Sequence, residues 1–140
     1  MQRSYPSTPL VGVSVLCYDE TRVLLIKRGK NPYKDHWSLP GGLVELGETL
    51  IAAAKRELWE ETGVKADLNG PIETFDSIQY DDHGQVISHF ILIMFHGRLI
   101  EGQAIAGDDA AALDWVTPDQ LDDRLTTPGT PERIRKHLEV

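Results

Sequence analysis

The sequence predicts one α/β domain. Three observations carry that expectation: several Val-, Leu- and Ile-rich segments that suggest one sheet, a sharply delimited helix between Thr49 and Gly63, and the size. A chain of 140 residues, 41% hydrophobic and 26% charged, suits a single core. The domain is expected to occupy residues 1–140.

Leu10–Tyr18 and Arg22–Arg28 read as buried strands joined by Asp19-Glu20-Thr21, a hairpin. Pro32, Pro40, Gly41, Gly42 and Gly47 interrupt the next stretch of chain, so Gly29–Glu48 is expected to be mostly loop, with an extended piece at Trp37-Ser38-Leu39. A loop of that length is more often functional than idle. Thr49–Thr62 is the strongest helix of the chain: Thr49 can cap it, Ala and Leu fill it, and Gly63 can end it in the left-handed conformation. Ile72–Tyr80 and Gln85–Arg98 are strand-like around Asp81-Asp82-His83-Gly84, and Ala110–Val116 supplies another strand. Pro118–Leu121 suits a short helical turn, and Thr130-Pro131-Glu132 reads as an N-cap followed by Pro at the first position of a terminal helix.

With 22 acidic against 14 basic residues the formal net charge is −8, a field that repels polyanions, so no long nucleic acid is expected as a partner. A free nucleotide stays open, because a small anion that arrives with magnesium or meets a local arginine needs no basic surface. The longest apolar run, Phe90–Phe95, is far short of the roughly 20 residues that cross a bilayer. Met1-Gln2-Arg3-Ser4-Tyr5-Pro6 carries no apolar signal segment, so the expected location is cytoplasmic, with no membrane partner. Cys17 is the single cysteine, which excludes an intrachain disulfide or a cysteine-based zinc site, and its neighbours Val15 and Leu16 point to packing.

The chemistry concentrates on the helix. Glu57, Glu60 and Glu61 stand at i, i+3 and i+4, within an arc of about 100°, and Glu48 lies just ahead of them. Like charges so close repel by a few tenths of a kcal/mol per exposed pair, so a cation is expected among them. Arg56 can balance one carboxylate; a hard divalent ion that takes oxygen ligands, Mg²⁺ or Mn²⁺, suits the rest. Taken alone, such residues are more often a solvated face with an ordinary Arg56–Glu60 pair. The apolar stripe Ile51, Ala54 and Leu58 tips the reading, because the carboxylate arc borders that stripe instead of opposing it.

Gly42, five residues, Glu48, seven residues, then Arg56-Glu57-Leu58-Trp59-Glu60-Glu61-Thr62-Gly63-Val64 resembles the box of the Nudix hydrolase family at every fixed position. Seven fixed positions would coincide by chance roughly once in a million such chains. Val23–Arg28, Trp37–Gly42 and Trp115–Leu121 are similar to the flanking segments of the family, so the resemblance covers most of residues 10–121. It implies a mixed sheet sandwiched between helices and a metal-dependent hydrolase, with Mg²⁺ or Mn²⁺ as cofactor, acting on a diphosphate linkage of a nucleoside diphosphate derivative. It implies Glu57 and Glu61 as main metal ligands, Glu60 helping directly or through water, the Gly41 carbonyl completing the site, and Glu48 and Arg56 as supports. Gly41 and Gly42 suit that role because a backbone without side chains comes close to metal or phosphate.

Arg28 is a candidate contact to the diphosphate, its alternative being plain surface charge. Some family members take their base from a later loop, and Asp108 and Asp109 occupy a matching region; they are candidates for the base or a further ligand, against an ordinary acidic turn. The chain looks most like small bacterial ADP-ribose pyrophosphatase-like members. It departs from them where a proline often follows the box by 15 or 16 residues, since Gln79 and Tyr80 stand there. A tyrosine near that distance accompanies dinucleoside polyphosphate hydrolases, which makes Tyr80 a candidate substrate contact; Phe75, His83 and His89 are further candidates for a nucleoside pocket. Nucleoside triphosphates, a non-cleaving nucleotide sensor and a scaffold with a vestigial box remain as alternatives, and a homodimer fits family habit.

Overall fold

The computed structural model describes residues 3–138. Its elements are β1 (Leu10–Asp19), β2 (Arg22–Arg28), β3 (Trp37–Ser38), β4 (Gly41–Leu43), α1 (Leu50–Thr62), β5 (Val64–Tyr80), β6 (Val86–Gly102), β7 (Ala110–Val116), a 3₁₀ turn at Pro118–Gln120 and α2 (Thr130–His137). β1 and β6 pair in parallel from Leu10 opposite Phe90 to Tyr18 opposite Arg98, and β5 runs antiparallel along the far edge of β6. On its other side β1 meets β4 along Gly12–Ser14, but touches β2 only at the hairpin tip, Tyr18 opposite Val23 and Asp19 opposite Arg22. β2 pairs instead with β7 and β3. The expected hairpin and single mixed sheet are therefore present, and the sheet branches at the hairpin into two arms.

Strand alternation builds a core on each face. Val13, Val15 and Cys17 of β1 pack with Ala53, Ala54 and Leu58 of α1, whereas Leu16 and Met94 pack with Leu121, Ile134 and Leu138. Each fully buried Leu or Ile contributes roughly 1.5–3 kcal/mol, so these two sets hold a helix against either face. The α/β sandwich implied by the resemblance is the direct result. Cys17 is fully buried in the α1 core, and burial pushes its thiol up to about 12, consistent with packing and not reactivity. α1 is bounded as expected: the Thr49 hydroxyl accepts from the Ala52 N–H, and Gly63, left-handed at φ 71°, donates to the Trp59 carbonyl.

Four boundaries differ from the sequence reading, one of them the end of β6, which runs to Gly102 and not Arg98. Gly41–Leu43, assigned to a loop, is strand β4. A Cβ at Gly41 would stand 2.1 Å from the Val13 carbonyl oxygen, so its glycine marks a close backbone approach and not a turn. β5 starts at Val64, eight residues before Ile72, because Gly70-Pro71 is absorbed in a bulge between Asn69 and Glu73 while Val64 and Ala66 alternate with exposed Lys65 and Asp67. At α2, Thr130 is the first helical residue and Gly129, at φ 79°, takes the cap position; the Thr130 hydroxyl meets that of Thr127 instead of capping.

Candidate active site

Packing of Ala53, Ala54 and Leu58 on the sheet turns the adjoining flank of α1 towards β4. Glu57 and Glu61, one turn apart on that flank, line a cavity of about 440 Å³ together with Gly41, Gly42, Arg28, Asp108 and Asp109. Glu61 is only 5% exposed, and one of its oxygens accepts the Gly41 N–H at 2.8 Å. Burial pushes its carboxyl up to about 8, with the Gly41 N–H opposing and the charge of Glu57 adding to the rise. Glu57 is also raised, by burial first; Arg56 opposes this, and Glu60 and Asp108 add to it. A Cβ at Gly42 would lie 2.4–2.6 Å from the Glu57 carboxylate, so this carboxylate rests directly on the β4 backbone.

Arg56 lies behind this pair and joins three pieces of chain. Its Nε and Nη2 grip Glu48 at 2.7 and 2.9 Å, Nη2 also reaches the Leu43 carbonyl at 3.0 Å, and Nη1 donates to Glu57 at 2.8 Å and Glu60 at 3.2 Å. Such a planar fork fixes direction as well as charge. Hydrogen bonding to Arg56 holds the Glu48 carboxyl down near 2. Neither Arg56 nor Glu60 lines the cavity: Arg56 positions Glu57 from behind, and the Glu60 side chain, 40% exposed, is turned to that arginine.

The later loop reaches the cavity through the end of α1. Ile105 and Gly107 donate their N–H groups to the Thr62 and Glu61 carbonyls at 2.9 and 3.0 Å, which satisfies helix-end acceptors left without partners. Asp108, held at φ 51°, and Asp109 come next on the cavity wall; Asp109 also pairs with Lys30 at 2.9 Å. Arg28 approaches from the end of β2, its Nε donating to the Pro32 carbonyl at 2.6 Å, and burial lowers its guanidinium pKa while the charge of Glu61 opposes the shift.

The donor set fits a hard divalent ion only in part by itself. Among the described residues no three Asp, Glu, His or Cys side chains converge as a metal cluster. A buried and a half-buried carboxylate, both raised by burial, beside a glycine backbone do suit Mg²⁺, which is commonly held by one or two carboxylates, with waters and substrate phosphates filling the remaining positions. Helical spacing groups Glu60 with Glu57 and Glu61 but does not reveal that its side chain is held by Arg56 and does not line the cavity.

Of the suggested nucleoside contacts, Phe75 lines the cavity. Tyr80, 60% exposed near the end of β5, does not, nor do His83 and His89. Phe75 to Ile78 of β5 line the cavity, and Tyr80 lies two residues beyond that stretch. Sequence reasoning missed Arg133 and Phe90, which also line the cavity; nothing local in the sequence ties the last helix to this site.

The chain is similar to known proteins over most of its length. Residues 8–137 match the NUDIX domain. The ADP-ribose pyrophosphatase of Methanocaldococcus jannaschii is 41% identical over 113 residues, which cover 81% of this chain and 64% of that protein, so the chain spans just under two thirds of its length. A putative 8-oxo-dGTP diphosphatase of Bacillus subtilis is 37% identical over 112 residues, 79% of this chain and 68% of that one. The crystal structure of the MutT NUDIX hydrolase from Burkholderia pseudomallei has a TM-score of 0.75 at 27% identity, covering 94% of this chain and 99% of that one.

Proposed function

Since the chain belongs to the Nudix family, we propose that it hydrolyses the diphosphate linkage of a nucleoside diphosphate derivative, with an ADP-ribose-like substrate favoured. The observation that carries the reading is buried Glu61 and half-buried Glu57 set against the β4 glycines in the cavity wall. Glu57, Glu61 and the backbone of Gly41 would hold Mg²⁺ or Mn²⁺, with Glu60 assisting through water. A bound divalent ion supplies neutralisation of diphosphate oxygens and acidification of water.

The chain's own groups do the rest. Arg28 orients the diphosphate from the β2 end, and Arg56 keeps Glu57 aimed at the cavity. Asp108 or Asp109 accepts the proton of the attacking water. A new P–O bond forms from that water, the anhydride P–O bond breaks, and two phosphomonoesters leave. The ADP-ribose preference rests on likeness to the Methanocaldococcus jannaschii protein. Likeness to the Bacillus subtilis protein supports nucleoside triphosphates as the second reading. The exposed position of Tyr80 leaves a dinucleoside polyphosphate substrate without its sequence support.

The test is a panel of ADP-ribose, dinucleoside polyphosphates, nucleoside triphosphates, nucleotide sugars and NADH, each with Mg²⁺ or Mn²⁺, with chromatography of products. Cleavage within a diphosphate of at least one compound is expected. No turnover, together with tight binding of any member, would move the chain to the sensor class. Sedimentation equilibrium tests the proposed homodimer. Among the described residues no helix is long and apolar enough to cross a membrane.

A further inference from the structure

We infer that Arg133 and Phe75 form a base-stacking platform at the α2 end of the cavity, so that α2 takes part in holding the nucleoside. The inference rests on the proposed nucleotide substrate and adds the residues that read it.

The cavity wall is chemically mixed: Glu57 and Glu61 line it from α1, apolar Ile78, Phe90 and Leu92 from the sheet, and Arg133 from α2. The Arg133 guanidinium carbon lies 3.4 Å from the centre of the Phe75 ring, a stacked arrangement. A guanidinium seated on one ring offers its opposite face to a second planar group, and nucleobases stack on such planes. An apolar wall beside it suits a heterocycle better than a phosphate, which needs several converging N–H donors.

Two further observations describe how the guanidinium is seated. A Cβ at Gly129 would stand 2.7–3.0 Å from the Arg133 guanidinium, so the residue at the cap of α2 leaves the space that the guanidinium occupies. Arg133 Nε is buried without a hydrogen-bond partner, although Glu73 Oε2 is 3.3 Å away. Glu73 contacts Arg133, Lys136 and His137, which fastens α2 to β5, and Arg133 Nη1 donates to the Pro128 carbonyl at 3.2 Å.

The experiment is calorimetric titration of the metal-free full chain with adenosine and with ribose 5-phosphate, beside thermal melts that verify folding. The parent is expected to hold adenosine about tenfold or more tighter than ribose 5-phosphate, the scale of one lost stacking partner. Arg133→Ala and Arg133→Lys should both erase that preference, since lysine keeps the charge but has no planar face. Phe75→Leu, which keeps apolar volume without a ring, should weaken adenosine in the same way and keeps the question open to test if loss of Arg133 unfolds the chain. Tighter binding of ribose 5-phosphate than of adenosine, or full rescue by lysine, would make this end an anion site and overturn the inference. Loss of adenosine preference in Arg133→Ala while the parent hydrolyses nothing on the panel would sink the proposed activity alone. Hydrolysis by a parent that shows no adenosine preference would leave the activity standing and remove the base site.

Discussion

Replacing Gly42 with Ala should separate stability from chemistry. The new Cβ would stand 2.4 Å from the Glu57 carboxylate carbon, whereas ordinary contact begins at 3.4 Å, so the carboxylate must move by about 1 Å. It is the far end of a flexible side chain, and Gly42 is not in the left-handed region, so the backbone need not change. Alanine also narrows the unfolded ensemble by about 0.4–1 kcal/mol, and the metal-free melting temperature should hold or rise. A 1 Å misplacement in a reacting constellation costs about 100-fold in turnover. The ion should be held less tightly as well: at 100 times its dissociation constant the parent gains about 2.7 kcal/mol, roughly 10 °C for a domain of this size, and the variant should gain clearly less. Steady-state hydrolysis and thermal melts with and without Mg²⁺ give both readouts. Neighbouring Gly41→Ala supplies the contrast, because its Cβ would meet the Val13 carbonyl at 2.1 Å and the main chain cannot yield so easily; that variant should fold poorly. Parental turnover and a parental Mg²⁺ shift in Gly42→Ala would show that the Glu57 position is irrelevant to the reaction.

Glu57→Gln and Glu61→Gln should each lower turnover by orders of magnitude at saturating Mg²⁺, with equal or slightly higher stability without metal. Because burial raises Glu61 from 4.5 to about 8, the folded metal-free chain keeps a proton that the unfolded chain releases. Stability from this group should therefore fall as pH rises from about 4.5 to 8 and level off above, and Glu61→Gln should flatten that slope in melts across pH. Arg56→Lys loses the fork on Glu48 and the Leu43 carbonyl, and should reduce turnover or metal affinity about 10- to 100-fold, as loss of a partner behind a metal ligand commonly does. Parental kinetics in that variant would remove Arg56 from positioning. Asp108→Asn or Asp109→Asn should slow turnover at least about tenfold, since a positioned base contributes 10² to 10⁴. Two fully active variants across pH would take the loop out of the mechanism.

Periodicity and caps made much of this molecule legible from residue order alone. Thr49, Gly63 and the Ala53, Ala54, Leu58 stripe define α1 through interactions within a turn or two, and helical spacing alone puts Glu57 and Glu61 on one flank. The near-continuous apolar run of β1 likewise announces a strand buried on both faces. Features that depend on segments distant in sequence were decided elsewhere. Gly41 and Gly42 look like a turn until β1 and α1 close on them, and Asp108 and Asp109 reach the cavity because Ile105 and Gly107 bond the last carbonyls of α1. Glu60 shares its helix with the two cavity carboxylates, yet Arg56 draws it outward. Arg133 reaches Phe75 only when α2 folds against β5, a contact that no local pattern encodes because its energy exists only after the sheet has formed.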